Sequence, residues 1–238
     1  MYAIDKDSNI CRFLLDGSFD TSLEVKADNL KVFKDILFFS HSSSMQSLSE
    51  NLFYHTSCIE DFSLEESYFA FIDEDGKVIS IDYSTGQVLT RSPHSVGGCI
   101  ATKDDNIISS SFDCTICIYN ISTKMSQSIN LKDFEMNNPI PFCLFVNERI
   151  YCGLGDGSVL ILGDDEIDSL KVHSSSVSQF VDENAVYSCG NDGFVYMIGE
   201  EEVVEFVEHD SKINAICIIG QNLFVADSDH DELTKYTL

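Results

Sequence analysis

Two stretches carry the same message: Ile107-Ile108-Ser109-Ser110-Ser111-Phe112-Asp113 leading into Thr115-Ile116-Cys117-Ile118-Tyr119, and Val186-Tyr187-Ser188-Cys189-Gly190-Asn191-Asp192 leading into Phe194-Val195-Tyr196-Met197-Ile198. Each is an apolar run, a tight polar turn holding an Asp, and a second apolar run, which is the pattern of a β-hairpin. Aligned on that turn, an Asp recurs at Asp7, Asp75, Asp113, Asp156 and Asp192, while Ser42 and Asp231 hold the place in two weaker copies, with spacings of 33 to 43 residues. A repeat of that length without helical periodicity means β units that stack or radiate rather than one sandwich.

One such unit cannot bury both of its faces. Closing seven of them, each packed on two neighbours, solves the problem and predicts an all-β chain folded as a seven-bladed β-propeller. Hairpins fall near 2–15, 36–49, 68–82, 106–120, 150–163, 186–199 and 222–237, with two further strands between successive hairpins. Gln87–Arg91 with Gly98–Thr102, and Val203–Val207 with Ile213–Ile219, are examples of those intervening pairs. About 26 strands result, where seven complete blades need 28. The first blade therefore begins at its second strand and the last stops after its third, leaving an incompletely closed seam; a six-bladed ring with unequal repeats is the alternative. An unpaired strand edge can accept a strand from a partner.

The repeats fill 1–238 without a linker and read as one domain, with 44% hydrophobic residues to supply its core. No stretch has the length of apolar sequence that crosses a bilayer, and the start, Met1-Tyr2-Ala3-Ile4-Asp5-Lys6-Asp7, lacks a basic and apolar signal pattern. The nine cysteines sit mostly within apolar strand patterns (Cys99, Cys117, Cys143, Cys152, Cys189, Cys217), as buried thiols of a reducing compartment would. An intracellular protein, cytoplasmic or nuclear, is expected. Against 14 Lys plus Arg stand 40 Asp plus Glu, a formal net charge of −26. Nucleic acid and anionic membrane are poor partners for such a surface, and a basic protein is a good one. Acidic turns also serve simply to keep a β-rich chain soluble.

In 94–120 and 173–199 the sequence resembles the WD-repeat propellers. His94, Ser109 and Asp113 stand at the positions of that family's His, strand Ser and turn Asp, with Tyr119-Asn120 where its Trp-Asp pair would be. His173, Ser188 and Asp192 repeat the set, followed by Ile198-Gly199, and His and Asp are 19 residues apart in both copies. The chain has no Trp; Phe13, Leu48, Ile81, Tyr119, Leu162, Ile198 and Tyr236 take the equivalent places, keeping packing and losing an indole donor. The resemblance implies strand-tying hydrogen-bond networks and a non-catalytic platform for assembling other proteins.

Other candidate chemistry is weaker. Cys114 and Cys117 have the spacing of a metal or redox pair, but in a strand residues three apart face opposite ways, and no second pair accompanies them. Gly153-Leu154-Gly155-Asp156-Gly157 has no helix or lysine after it to hold phosphate and reads as a hairpin turn. His94, Ser109 and Asp113 include the residue types of a hydrolytic triad, yet the same trio recurs around His173, as structure repeats and a unique active site does not. His209-Asp210 resembles a third copy of the tying His. Asp164-Asp165-Glu166 and Glu200-Glu201-Glu202 lack the alternating ligands and glycine of a calcium loop. No catalytic residue, cofactor or metal is expected.

The placement of the acids is informative. Labelling the strands of a blade a to d from the inside, Glu65, Glu66, Asp104, Asp105, Glu148, Asp182 and Glu183 fall at a–b turns. Asp16, Glu50, Asp82, Asp164, Asp165, Glu166, Glu200, Glu201 and Glu202 fall at or beyond c–d turns. These turns share one face, where Lys34, Lys103 and Arg149 are among the few basic residues. The expected function is a protein-interaction scaffold, an acidic escort or assembly platform for a basic client such as a ribosomal protein or a histone. The alternative is a structural subunit of a larger complex held by strand addition at the seam, and a remote one is a hydrolase with a central-channel site.

Overall fold

The structure, a computed structural model, describes the chain apart from residues 6, 49, 50, 135, 137, 138, 148, 164, 165, 183, 184, 200, 201 and 230–232, and apart from the side chains at 24, 51 and 52. The described residues form 26 strands in seven antiparallel sheets, each built from strands consecutive in the chain. The first sheet is β1 (Tyr2–Ile4), β2 (Asn9–Phe13) and β3 (Phe19–Lys26). Then come β4 (Asn29–Phe33) to β7 (Asn51–Tyr54) through β5 (Ile36–His41) and β6 (Ser44–Ser47), and β8 (Ile59–Leu64), β9 (Tyr68–Asp73), β10 (Val78–Asp82) and β11 (Val88–Arg91). The fourth is β12 (Gly98–Lys103), β13 (Asn106–Ser111), β14 (Thr115–Asn120) and β15 (Ser126–Asn130). The fifth is β16 (Pro141–Val146), β17 (Ile150–Leu154), β18 (Ser158–Leu162) and β19 (Ile167–Lys171), and the sixth β20 (Val177–Asp182), β21 (Val186–Gly190), β22 (Phe194–Ile198) and β23 (Val203–Glu208). The last holds β24 (Ile213–Ile219), β25 (Asn222–Asp227) and β26 (Thr234–Thr237). The first and last sheets thus have three strands and the other five have four, among the described residues. No described helix is long and apolar enough to cross a membrane.

Two compact units are present, Met1–Arg12 with Asp20–Leu131, and Phe13–Phe19 with Lys132–Leu238. In the first unit, β9 shows why the middle strands carry apolar residues on both faces. All six of its residues, Tyr68 to Asp73, are buried. Side chains alternate across a strand, so Phe69 and Phe71 join Met45, Phe62, Ile79 and Ile81 on one side. Tyr68, Ala70 and Ile72 join Val78, Ile100, Ile107 and Tyr119 on the other. A strand packed on both faces needs apolar residues on both, and the polar residues buried there, such as Asp73 and Ser109, are hydrogen-bonded. In the second unit β21 divides likewise: Tyr187 and Cys189 pack with Val195, Ile213 and Val225, whereas Val186 packs with Val159, Phe180 and Ile198. Outer strands β15 and β19 are exposed at most positions and correspondingly polar, and β11 at every second one.

A register shift recurs at the start of the innermost strands, between Ile59 and Asp61, Pro141 and Cys143, Val177 and Gln179, and Ile213 and Ala215. It frees side chains at this point to reach the next blade: Asp61 Oδ2 accepts Ile100 N–H at 2.9 Å, and Gln179 Oε1 accepts Ile216 N–H at 2.8 Å. Within the second unit the turn between β2 and β3 meets the last blade. Leu233 N–H donates to Gly17 O at 3.2 Å. Gly17 has φ +94°, and a Cβ there would lie 2.3 Å from Leu233 O, so both conformation and contact require glycine.

Candidate functional site

The expected histidine networks form, in more copies than the sequence suggested. In the sixth blade His173 Nδ1–H donates to Asp192 Oδ1 at 2.9 Å and Nε2 accepts from Ser188 Oγ at 2.9 Å. The tautomer follows from the carboxylate, which only accepts. Asp192 also takes Ser174 N–H at 2.8 Å and Phe194 N–H at 3.3 Å, tying the chain entering the blade to its central hairpin. Burial holds the His173 imidazole below its ordinary value, outweighing the opposite pull of Asp192. Around His94 the design differs. Its Nδ1–H goes to Thr115 Oγ1 at 2.7 Å, the Thr115 hydroxyl passes the bond to Asp113 Oδ1, and His94 and Asp113 stand 3.9 Å apart. Nε2 again meets the strand serine, Ser109 Oγ, at 2.8 Å. Burial lowers His94 as well. Burial alone would raise the Asp113 carboxyl, but hydrogen bonds from Thr115, Ser95 and Ser111 together bring it below the usual range.

Two further copies complete the set: His209 was expected as a third tying histidine, though beside Asp210, and His55 escaped the sequence reading. His55 Nε2–H donates to Asp73 Oδ2 at 2.8 Å, and His209 Nδ1–H to Asp227 Oδ2 at 2.9 Å, with Tyr236 Oη donating to His209 Nε2 at 2.8 Å. Alignment on the turn had selected Asp75 and Asp231, and Asp210 beside His209. Asp75 instead pairs with Lys77 at 3.0 Å, and 231 lies outside the described residues. In these copies the acceptor is the final residue of β9 or β25, 18 residues after its histidine, whereas Asp192 follows the end of β21 and lies 19 after His173. Asp7 is similarly displaced by Asp5, whose Oδ1 takes Asn9 N–H at 2.8 Å. The serine and histidine of both full trios are buried, Ser109 and Ser188 at 2% and 0% exposure, so these hydroxyls brace strands and face no open surface.

Cys114 is not in a strand as expected but in the β13–β14 turn, at φ +73°, while Cys117 is in β14. Among the described residues no group of three or more His, Cys, Asp or Glu is placed to hold a metal ion. Gly157 in the glycine-rich stretch forms the β17–β18 turn at φ +88°.

The acidic residues lie where the turns were expected, at one end of their sheets. Glu65 and Glu66 connect β8 to β9, Asp104 and Asp105 connect β12 to β13, and Asp182 ends β20. Glu166 and Glu202 precede β19 and β23; Asp164, Asp165, Glu183, Glu200 and Glu201 lie outside the described residues, as do Glu50 and Glu148. In the first unit four of these acids belong to adjacent blades. Burial raises the Glu65 carboxyl, and after an opposing Thr102 hydrogen bond the neighbouring Asp104 and Glu66 raise it further. The Tyr68 phenol, pushed up by burial and then by Glu65, Asp105 and Asp104, donates to Asp104 O at 3.0 Å. Lys34 reaches Glu66 at 3.1 Å, an exposed pair that offsets one charge of the four. Asp82 at a c–d turn serves its own loop: hydrogen bonds from Ser84 and Thr85 hold it at about 2. Asp182 is likewise engaged, accepting from Asn147 Nδ2 at 2.6 Å.

Sheet order, blade repeat and histidine ties together define a β-propeller of seven blades. The crystal structure of the computationally designed Ika8 protein is similar, with a TM-score of 0.77 and 18% identity over 99% of this chain and 82% of that one, a likeness of fold. No protein-family profile matches the chain, and no curated protein sequence does.

Proposed function

We propose that this chain is a non-catalytic interaction platform of the WD-repeat kind that binds a basic protein, as an escort or assembly platform for a client such as a histone or ribosomal protein in the cytoplasm or nucleus. The carrying observation is the group Glu65, Glu66, Asp104 and Asp105 on adjacent turns of the first unit, where burial first, and then the neighbouring acids, oppose ionisation of Glu65. A lysine or arginine arriving there relieves that repulsion, and the net charge of −26 steers it from beyond contact distance. The test is recovery of bound proteins at low and high salt, beside a variant carrying Asp104→Lys and Asp105→Lys. Loss of a basic partner at roughly 0.5 M salt, where screening acts within a few ångströms, and in the variant, is expected. A complex indifferent to both counts against the reading.

A second reading, a subunit held by strand addition, rests on the last sheet. Leu238 N–H bonds Gln221 O, so Tyr236 and Thr234 point their backbone groups at β25, and the alternation of antiparallel pairing turns those of Lys235 and Thr237 outward. A salt-resistant complex lost when a partner's extended segment is deleted favours this reading over the first.

A further inference from the structure

Four basic side chains of the described residues pair with an acid. Arg12 pairs with Asp20, Lys31 with Asp61, Lys34 with Glu66 and Lys77 with Asp75. Arg91 is different. It ends β11, the outer strand of the third blade, and its guanidinium carbon stands 3.7 Å from the centre of the Tyr119 ring in the next blade. Its Nε is buried without a hydrogen-bond partner among the described residues.

The register of β14 with β15 places the rest of the site. Cys117 is opposite Ser128 and Tyr119 opposite Ser126, and residues two apart share a face, so the four side chains stand together beside Arg91. Arg91, Ser92, Pro93, Cys117, Ser126 and Ser128 line a cleft of about 310 Å³ with no carboxylate among them. Stacking on Tyr119 fixes the plane of the guanidinium, and a fixed fork of N–H donors matches two oxygens of an anion. Serine hydroxyls on the facing strands can then donate to a third. Since a water's share of volume is about 30 Å³, the cleft has room for an anion together with part of what carries it.

We infer that the cleft of Arg91, Ser92, Ser126 and Ser128 is a binding site for a single phosphate monoester. A carboxylate fills the fork but leaves the serines without a third oxygen, so phosphate binds more tightly. The site stands apart from the acidic turns and does not depend on how they are read. The phosphate comes either as a free ester or on a phosphorylated serine of a partner.

The chain has three arginines, Arg12, Arg91 and Arg149, so the Nε–H signals of the isotope-labelled full chain are few enough to follow by nuclear magnetic resonance. Titrations use phenyl phosphate, inorganic phosphate, a phosphoserine peptide and acetate. We expect the Arg91 Nε–H and the Ser126 and Ser128 amides to shift saturably with a phosphate probe, while Arg12, already paired with Asp20, stays still. Arg91→Lys, which keeps charge and removes the fork, weakens binding by roughly tenfold or more. The Ser126→Ala, Ser128→Ala double variant changes two exposed positions and weakens it several-fold at an unchanged thermal midpoint. Saturation by phenyl phosphate identifies a free ester as sufficient, and saturation by the peptide alone identifies a phosphorylated partner. Shifts that never saturate with any phosphate probe, that persist in both variants, or that are matched by acetate overturn the inference.

Discussion

Replacing Asp192 with Ala removes the acceptor of three hydrogen bonds, from His173 Nδ1, Ser174 N and Phe194 N. Their losses are unequal. The Ser174 amide lies near the surface and water can replace its partner. The His173 ring is fully buried and Asp192 is 3% exposed, so Nδ1–H is left unsatisfied unless water enters. An unsatisfied buried donor costs about 1–3 kcal/mol, and the weaker Phe194 bond about 1 more, giving about 2–4 kcal/mol for Asp192→Ala. Asp113→Ala is the control. Asp113 is 20% exposed and meets its histidine through Thr115, whose hydroxyl can still accept from His94 after the carboxylate is gone, so about 1–2 kcal/mol is expected. The assay is urea unfolding followed by far-ultraviolet circular dichroism, since the chain lacks tryptophan, comparing midpoints at unchanged slope. A cost below about 1 kcal/mol for Asp192→Ala, or an equal or larger one for Asp113→Ala, would refute the assignment of direct and relayed ties.

Other expectations follow from the same geometry. His94 and His173 have lowered values in the folded chain, so the unfolded chain takes up protons first. Their contribution to stability is therefore complete above about pH 6.5 and is lost as pH falls below it toward the folded values, seen as a falling urea midpoint between about pH 7.5 and 5.5. Tyr236→Phe removes the hydroxyl donor to His209 Nε2 and should cost about 0.5–1.5 kcal/mol in the same assay. Gly157→Ala places a Cβ 2.3 Å from His173 O and 2.4 Å from Ser175 O, whereas Gly86→Ala, also at positive φ, meets nothing within 4 Å. The latter should cost about 1–2 kcal/mol from backbone strain alone and the former clearly more, read as thermal midpoints. Among the nine cysteines Cys58 is exposed and Cys99, Cys143 and Cys217 are half-buried, so a thiol reagent should modify Cys58 fastest in the native state and the buried Cys11, Cys114, Cys152 and Cys189 only as the chain opens.

The hairpin pattern was legible because it is local. Ile107 to Tyr119 and Val186 to Ile198 announce strand, turn and strand from side chains within a dozen residues, and β13–β14 and β21–β22 lie where that pattern put them. The histidine ties were legible with their acids only where the acid follows the strand, as at Asp113 and Asp192, while His209 was recognised without its true partner. At Asp73 and Asp227 the acid ends the strand, and an alignment keyed to the turn passed it by. The tie of Asp61 to Ile100 depends on a bulge, which alters pairing without any motif in the residues. Arg91 and Ser128 are on the outer strands of two blades, and only the stacking of those blades brings them to one cleft. The acidic turns could be placed from the strand order, but not the difference between Asp82, consumed by its own loop, and Glu65, which stands in the field of its neighbours.

The bond from Leu233 to Gly17 has a consequence for how the chain is made. A ribosome emits the first hairpin well before the residue that meets its turn, with about 215 residues of synthesis in between. By the logarithmic cost of loop closure, joining ends so far apart costs about 3 kcal/mol more than closing a ten-residue hairpin. The middle blades can settle as each emerges, since their strands pair with immediate neighbours, but this contact must come last. Until then the turn of residues 13–19 lacks its partner, and that interval is when the growing chain most needs protection from other nascent chains.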